Sequence, residues 1–111
     1  MSPEQPASPT PEQARIAQLN DEFRQQRHDW YITQGAQSLP DQPGLLQAVQ
    51  DFNAFTPDND SYGEHDFGII GWHSETTYWK IDYYDQALKY GEDPLSPECR
   101  RILTILLASE Y

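Results

Sequence analysis

The chain has 111 residues, 37% of them hydrophobic and 13% aromatic, and carries a net charge of −11. That is one modest core's worth of sequence, too aromatic for a disordered chain and too acidic to bind nucleic acid or anionic lipid directly. No apolar run approaches the roughly 20 residues of a membrane-spanning helix, and a single cysteine, Cys99, excludes an internal disulfide.

Residues 1–10, rich in proline, serine and threonine, read as a disordered arm before a single domain over 11–111. The arm lacks the basic and apolar regions of a secretory leader, so a soluble cytoplasmic protein is expected. Pro11 then opens a helix with Thr10 as its N-cap and Ile16, Leu19 and Phe23 at helical spacing through Arg27. Trp30-Tyr-Ile-Thr33 is β-prone and stops at Gly35. Pro40-Asp-Gln-Pro43 opens a second helix, whose apolar positions Leu45, Leu46, Val49, Phe52 and Phe55 share a face until Pro57 ends it.

Two strands follow, Phe67–His73 and Thr77–Tyr84, joined by the five residues His73–Thr77 as a hairpin. On the second strand Trp79, Ile81 and Tyr83 face one side and Tyr78, Lys80, Asp82 and Tyr84 the other. Arg100–Ala108 fits either a helix begun at Ser96-Pro97-Glu98 or a buried central strand. The strand is preferred, because a hairpin alone is marginal and needs a third strand to close a core. The expected fold is therefore α+β, with two N-terminal helices on one face of a three- to four-stranded, mostly antiparallel sheet.

The charge is unevenly spread. Residues 41–98 hold 12 acids against Lys80 and Lys89 alone. Within them Pro57–Gly68 gathers Asp58, Asp60, Glu64, His65 and Asp66 in a turn-rich segment. Asp58-x-Asp60-x-Tyr62-Gly63 copies the start of a calcium loop, but Ile69 stands where the bidentate glutamate is required. A transition-metal set of His65 with Glu64 or Asp66, plus His73 or Asp82, needs the neighbouring strand's Asp82 or Asp85, because strand alternation turns Glu64 and Asp66 away from His65. Asp58, Asp60 and His65 are the remaining metal candidates. The preferred reading makes Asp58, Asn59 and Asp60 turn-formers, gives Gly63 a positive φ and has His65 anchor the loop by a hydrogen bond. Carboxylates near Trp72 and Trp79 are candidates for raised pKa values, which leaves acid–base catalysis open. Arg100 and Arg101 would favour the Cys99 thiolate, although an inert thiol is the preferred reading.

Several strings form a recognisable pattern: Asn20-Asp-Glu-Phe-Arg24, Thr33-Gln-Gly35 with Leu39-Pro40, and Asp58-Asn-Asp-x-Tyr-Gly-Glu-His-Asp-Phe-Gly68. Trp79-Lys-Ile-Asp-Tyr-Tyr-Asp85 and Arg101–Tyr111 continue it. Together they resemble the bacterial domain-of-unknown-function family 3768 over residues 14–111, with a departure at Ser61, where the family often carries proline. The resemblance implies a small protein of bacterial chromosomes, plasmids and phages, and brings no catalytic residues.

The functional expectation is a non-enzymatic acidic interaction protein that binds a basic protein surface and no cofactor. Its candidate surface is Asp58, Asp60, Glu64, Asp66, Tyr78, Asp82, Tyr84 and Asp85. In its sharper form it is a mobile-element inhibitor that blocks nucleic-acid-handling machinery by charge mimicry. The competing expectation is a metal- or carboxylate-dependent enzyme using the Asp58–Asp66 loop.

Overall fold

A computed structural model describes residues 9–111, so most of the expected N-terminal arm lies outside the described residues. Helix α1, Pro11–Gln26, opens with a reciprocal capping box: the Gln13 N–H donates to the Thr10 hydroxyl and the Thr10 N–H to the Gln13 side chain. It stops at Arg27, which adopts a left-handed φ of 51°.

Strand β1, Trp30–Ile32, is followed by one turn of helix, α2, Gln34–Gln37, which the reading of Trp30–Thr33 as a strand stopped by Gly35 did not include. Thr33 ends the strand by capping that turn, its hydroxyl accepting the Ala36 N–H. Helix α3, Gln42–Gln50, starts on Asp41, whose carboxylate accepts the Gly44 N–H. It closes at Asp51 and does not run on to Pro57. Phe52 and Phe55 therefore leave the helix, and both meet Trp79 edge to face, with centroids at 5.5 and 6.1 Å.

Strands β2, Phe67–Trp72, and β3, Glu75–Tyr84, form the hairpin. Its turn is only His73-Ser74, with φ values of 48° and 70°, shorter than the five residues expected. Positive φ at both central residues matches the right-handed strand twist, which permits the tight connection.

Strand β4, Arg100–Leu107, settles the ambiguous segment as a strand. The sheet order is β1-β4-β3-β2, with β1 parallel to β4 and the other pairs antiparallel. Both faces of β4 are enclosed: Leu103 and Ile105 lie under the helices, and Ile102 and Leu106 are buried on the other side. That explains its near-continuous apolar run, interrupted by Thr104. A 3-10 turn, Ala108–Glu110, ends the chain's regular structure.

The core packs Ala36, Leu39, Leu45 and Val49 from the helical side against Trp79, Ile81, Leu103 and Ile105 of the sheet. Each large side chain so buried contributes about 1.5–3 kcal/mol. Gly68 lies beneath the Trp79 indole, where a Cβ would collide with the ring. The sheet thus has one face under the helices and a second that no α-helix covers, where Tyr78, Lys80, Asp82, Tyr84 and Thr104 are half-buried.

Candidate functional site

The acidic loop is positioned from below by the helix α1 string Asn20–Arg24. Asn20 is fully buried: its amide donates to the Glu64 carbonyl at 2.9 Å and to the Tyr83 hydroxyl at 2.8 Å, and its oxygen accepts Arg101 Nε at 2.6 Å. Arg101 also donates to the Pro94 carbonyl and lies over the Tyr83 ring. Asp21 accepts Arg24 at 3.0 Å and faces His65 Nδ1 at 3.0 Å. Arg24, 3% exposed, donates to the carbonyls of Val49, Gln50 and Phe52 at the end of α3. Its guanidinium also lies over Trp79.

Inside the loop Asp60 is a turn-former. Its side chain is 6% exposed and accepts the N–H groups of Glu64 and His65, both at 3.1 Å. Asn59 accepts the Thr56 N–H, and Gly63 takes the expected positive φ of 66°. His65 stacks flat on Phe55, with centroids 3.9 Å apart, and its Nε2 lies 3.7 Å from Asp60. Both ring nitrogens thus face carboxylates of the protein itself, and the anchoring role expected for His65 is the one it plays. The strand alternation expected across residues 64–66 does not hold, because His65 has a left-handed φ of 57°.

The eight residues proposed from the sequence fall in three places. Asp58 is exposed, while Glu64 and Asp66 stand half-buried beside Asp60 on the helical side of the sheet. Burial first, and then neighbouring carboxylates, pushes Glu64 and Asp66 above the usual range. Burial likewise pushes the Tyr83 phenol up.

Tyr78, Asp82 and Tyr84 lie half-buried on the opposite face, away from the helices, where Asp82 pairs with Lys80. Tyr78 sits there between Phe67 and Tyr111, at 5.1 and 5.6 Å. Asp85 forms a separate turn, accepting the Lys89 N–H at 2.9 Å.

A cleft of about 500 Å3 borders the loop, lined in part by Phe55, Asp60, Tyr62 and His65. No group of three or more His, Cys, Asp or Glu side chains among the described residues is arranged to hold a metal ion. For Cys99 the inert-thiol reading agrees with its surroundings: burial outweighs Arg101 and raises the thiol's pKa.

Sequence reading missed Asn20, Asp21 and Arg24 as partners of the loop, and Tyr31, Phe67, Ile69 and Tyr111 as members of the face away from the helices. A signal existed for two of them. Asn20 and Arg24 sit at i and i+4 on the same inward stripe as Ile16, where a polar residue must find a buried partner.

Fold and site together define a small acidic α+β module that braces a carboxylate-rich loop on one side and presents an aromatic sheet face on the other. The chain belongs to the family described as protein of unknown function DUF3768, whose model matches residues 32–110. The match begins within β1, so Asn20–Arg24 lies outside it although those residues hold the matched loop in place. No curated protein and no solved structure matches the chain. No helix among the described residues is long and apolar enough to cross a membrane.

Proposed function

We propose that the protein is a non-enzymatic binding module whose carboxylates meet a basic surface on a partner protein. The observation that carries this reading is the fate of its cations. Of seven Lys and Arg side chains, Arg24 is committed to the α3 carbonyls and Arg101 to Asn20 and Pro94. Arg100 and Lys80 are paired with Asp29 and Asp82, which leaves Arg15, Arg27 and Lys89 as the exposed cations. Asp41, Asp51, Asp58, Glu75, Asp93 and Glu98 meanwhile lie exposed, so the surface field is negative.

In its sharper form the module is a mobile-element inhibitor that occupies a DNA- or RNA-binding surface. Its carboxylates then stand in for phosphates, whose charges recur once per about 1.7 Å of duplex axis. An enzyme built on the Asp58–Asp66 loop would need His65 available to substrate or metal, and Asp21 and Asp60 already engage it.

The test is capture of partners from source-cell extract on the immobilised protein, with elution by a salt gradient and identification by mass spectrometry. The reading expects nucleic-acid-binding proteins that salt releases and duplex DNA displaces. Retention that is equal at low and high salt contradicts it.

A further inference from the structure

Strand β2 lies at the end of the sheet, and β3 is its one strand neighbour. The Trp72–Glu75 pair closes the hairpin turn, and the Ile81 N–H donates to the Asp66 carbonyl at 2.8 Å. Alternation along an antiparallel ladder therefore points the N–H and C=O groups of Phe67, Ile69 and Gly71 outward. Among the described residues no backbone group bonds to this outer side. Natural sheet edges are guarded by charge, proline or bulges, and Phe-Gly-Ile-Ile-Gly-Trp contains neither a charged residue nor a proline. Approach is open as well: Ile69 is 45% exposed, and a Cβ added at Gly71 would meet nothing within 4 Å.

Charge chooses among the occupants of such an edge. At the turn end Glu75 stands opposite Trp72, and the Trp72 indole donates to the Pro40 carbonyl beside Asp41; both carboxylates are exposed. At the other end Asp66 immediately precedes Phe67, Glu64 lies two residues before Asp66, and Asp58 is exposed on the same loop. The pairing surface is thus uncharged in the middle and acidic at both ends. A second copy paired antiparallel would bring one copy's Asp41 and Glu75 against the other's Glu64 and Asp66, like charge against like. A strand with an uncharged centre and Lys or Arg at each end meets opposite charge at both.

We infer that the free edge of β2 takes an extended segment of the partner, uncharged in the middle and basic at both ends, as a fifth strand of the sheet. This rests on the basic-partner reading and adds where and how the partner docks. Main-chain hydrogen bonds supply affinity, and the terminal charges select the sequence.

The probe is the peptide Lys-Lys-Val-Thr-Val-Thr-Val-Thr-Lys-Lys, fluorescently labelled, with one version N-methylated at the valines and another at the threonines. Alternate amides of a strand point to opposite sides, so one methylated version is expected to bind about tenfold more weakly or worse and the other to keep its affinity. Amide hydrogen exchange in the wild-type protein is expected to slow at Phe67, Ile69 and Gly71 when peptide is added. Ile69→Pro removes an outward N–H without breaking the β2–β3 ladder, and is expected to abolish both effects while the fold persists by circular dichroism. The methylated peptides need no variant, so a misfolded Ile69→Pro does not obscure the result.

Salt-sensitive binding with equal affinity for the two methylated peptides and unchanged exchange at the three amides overturns the edge site and leaves the basic-partner reading standing. Failure of all the peptides to bind at any salt concentration overturns both. Protection of the three amides without peptide, together with a dimer by sedimentation, assigns the edge to a second copy and also overturns the proposal.

Discussion

Replacing Arg24 with methionine keeps the aliphatic stem over Trp79 and removes the guanidinium. The side chain is 3% exposed and donates to Val49 at 2.8 Å, Phe52 at 2.9 Å and, more weakly, Gln50 at 3.3 Å. Hydrogen bonds from a charged donor are worth about 1.5–3 kcal/mol each, so the two short ones amount to roughly 3–6 kcal/mol. Relieving the burial of a guanidinium whose Nε has no partner returns about 1–2 kcal/mol. A net loss of about 3 kcal/mol is therefore expected, a large share of the ~5–15 kcal/mol that holds a small domain together. Urea unfolding followed by tryptophan fluorescence measures the loss directly, and the melting temperature should fall by more than about 10 °C. Asp21→Asn is the control. Asp21's side chain is 44% exposed, so its ion pair with Arg24 is worth less than about 1 kcal/mol. Arg24→Met costing under about 1 kcal/mol, or no more than Asp21→Asn, refutes the view that Arg24 acts by capping α3.

Glu64 and Asp66 have pKa values above their ordinary 4.5 and 3.8, so the folded state holds their protons more tightly than the unfolded chain. Their ionisation opposes folding above the folded pKa, and the penalty lifts as pH falls toward about 4. Glu64→Gln and Asp66→Asn should therefore stabilise the protein at pH 7 and have little effect near pH 4, as read from urea midpoints at the two pH values. Asp29 behaves oppositely: its hydrogen bond to Arg100 lowers its pKa, and that contribution is lost as pH falls below about 3.8. Ser74 adopts φ 70° in the hairpin turn, so Ser74→Gly should stabilise the protein by about 0.5–1 kcal/mol in thermal denaturation. The Cys99 thiol, its pKa raised by burial, should react with a thiol reagent more slowly than free cysteine at pH 7–8.

The hairpin could be read from the sequence because period-2 alternation is a local signal. The near-continuous apolar run of β4 fits helix or strand alike, and the hairpin's need for a third strand decides it. The end of α3 could not. Phe52 and Phe55 continue the helical stripe, and only Arg24, 25 to 28 positions away, makes an earlier stop favourable by taking the terminal carbonyls. The turn was misjudged because neither His73 nor Ser74 is the residue that φ values of 48° and 70° usually demand. Within the site, Asp60 and Gly63 followed local turn chemistry and were legible. The partners of His65 and Glu64 come from α1, 44 positions away, and no local pattern marks such pairings. The grouping of loop acids with strand aromatics was a proximity in sequence; the fold sets Tyr78 and Tyr84 on the face opposite Glu64 and Asp66.

The central claim is that this module recognises a basic partner through its negative field. The most direct measurement is the affinity of the lysine-flanked peptide, by fluorescence anisotropy, as NaCl rises from about 50 mM to about 500 mM, across which the Debye length falls severalfold. Binding that weakens steeply, with most of the change in the association rate, is the predicted result. A dissociation constant that stays flat over that range contradicts it.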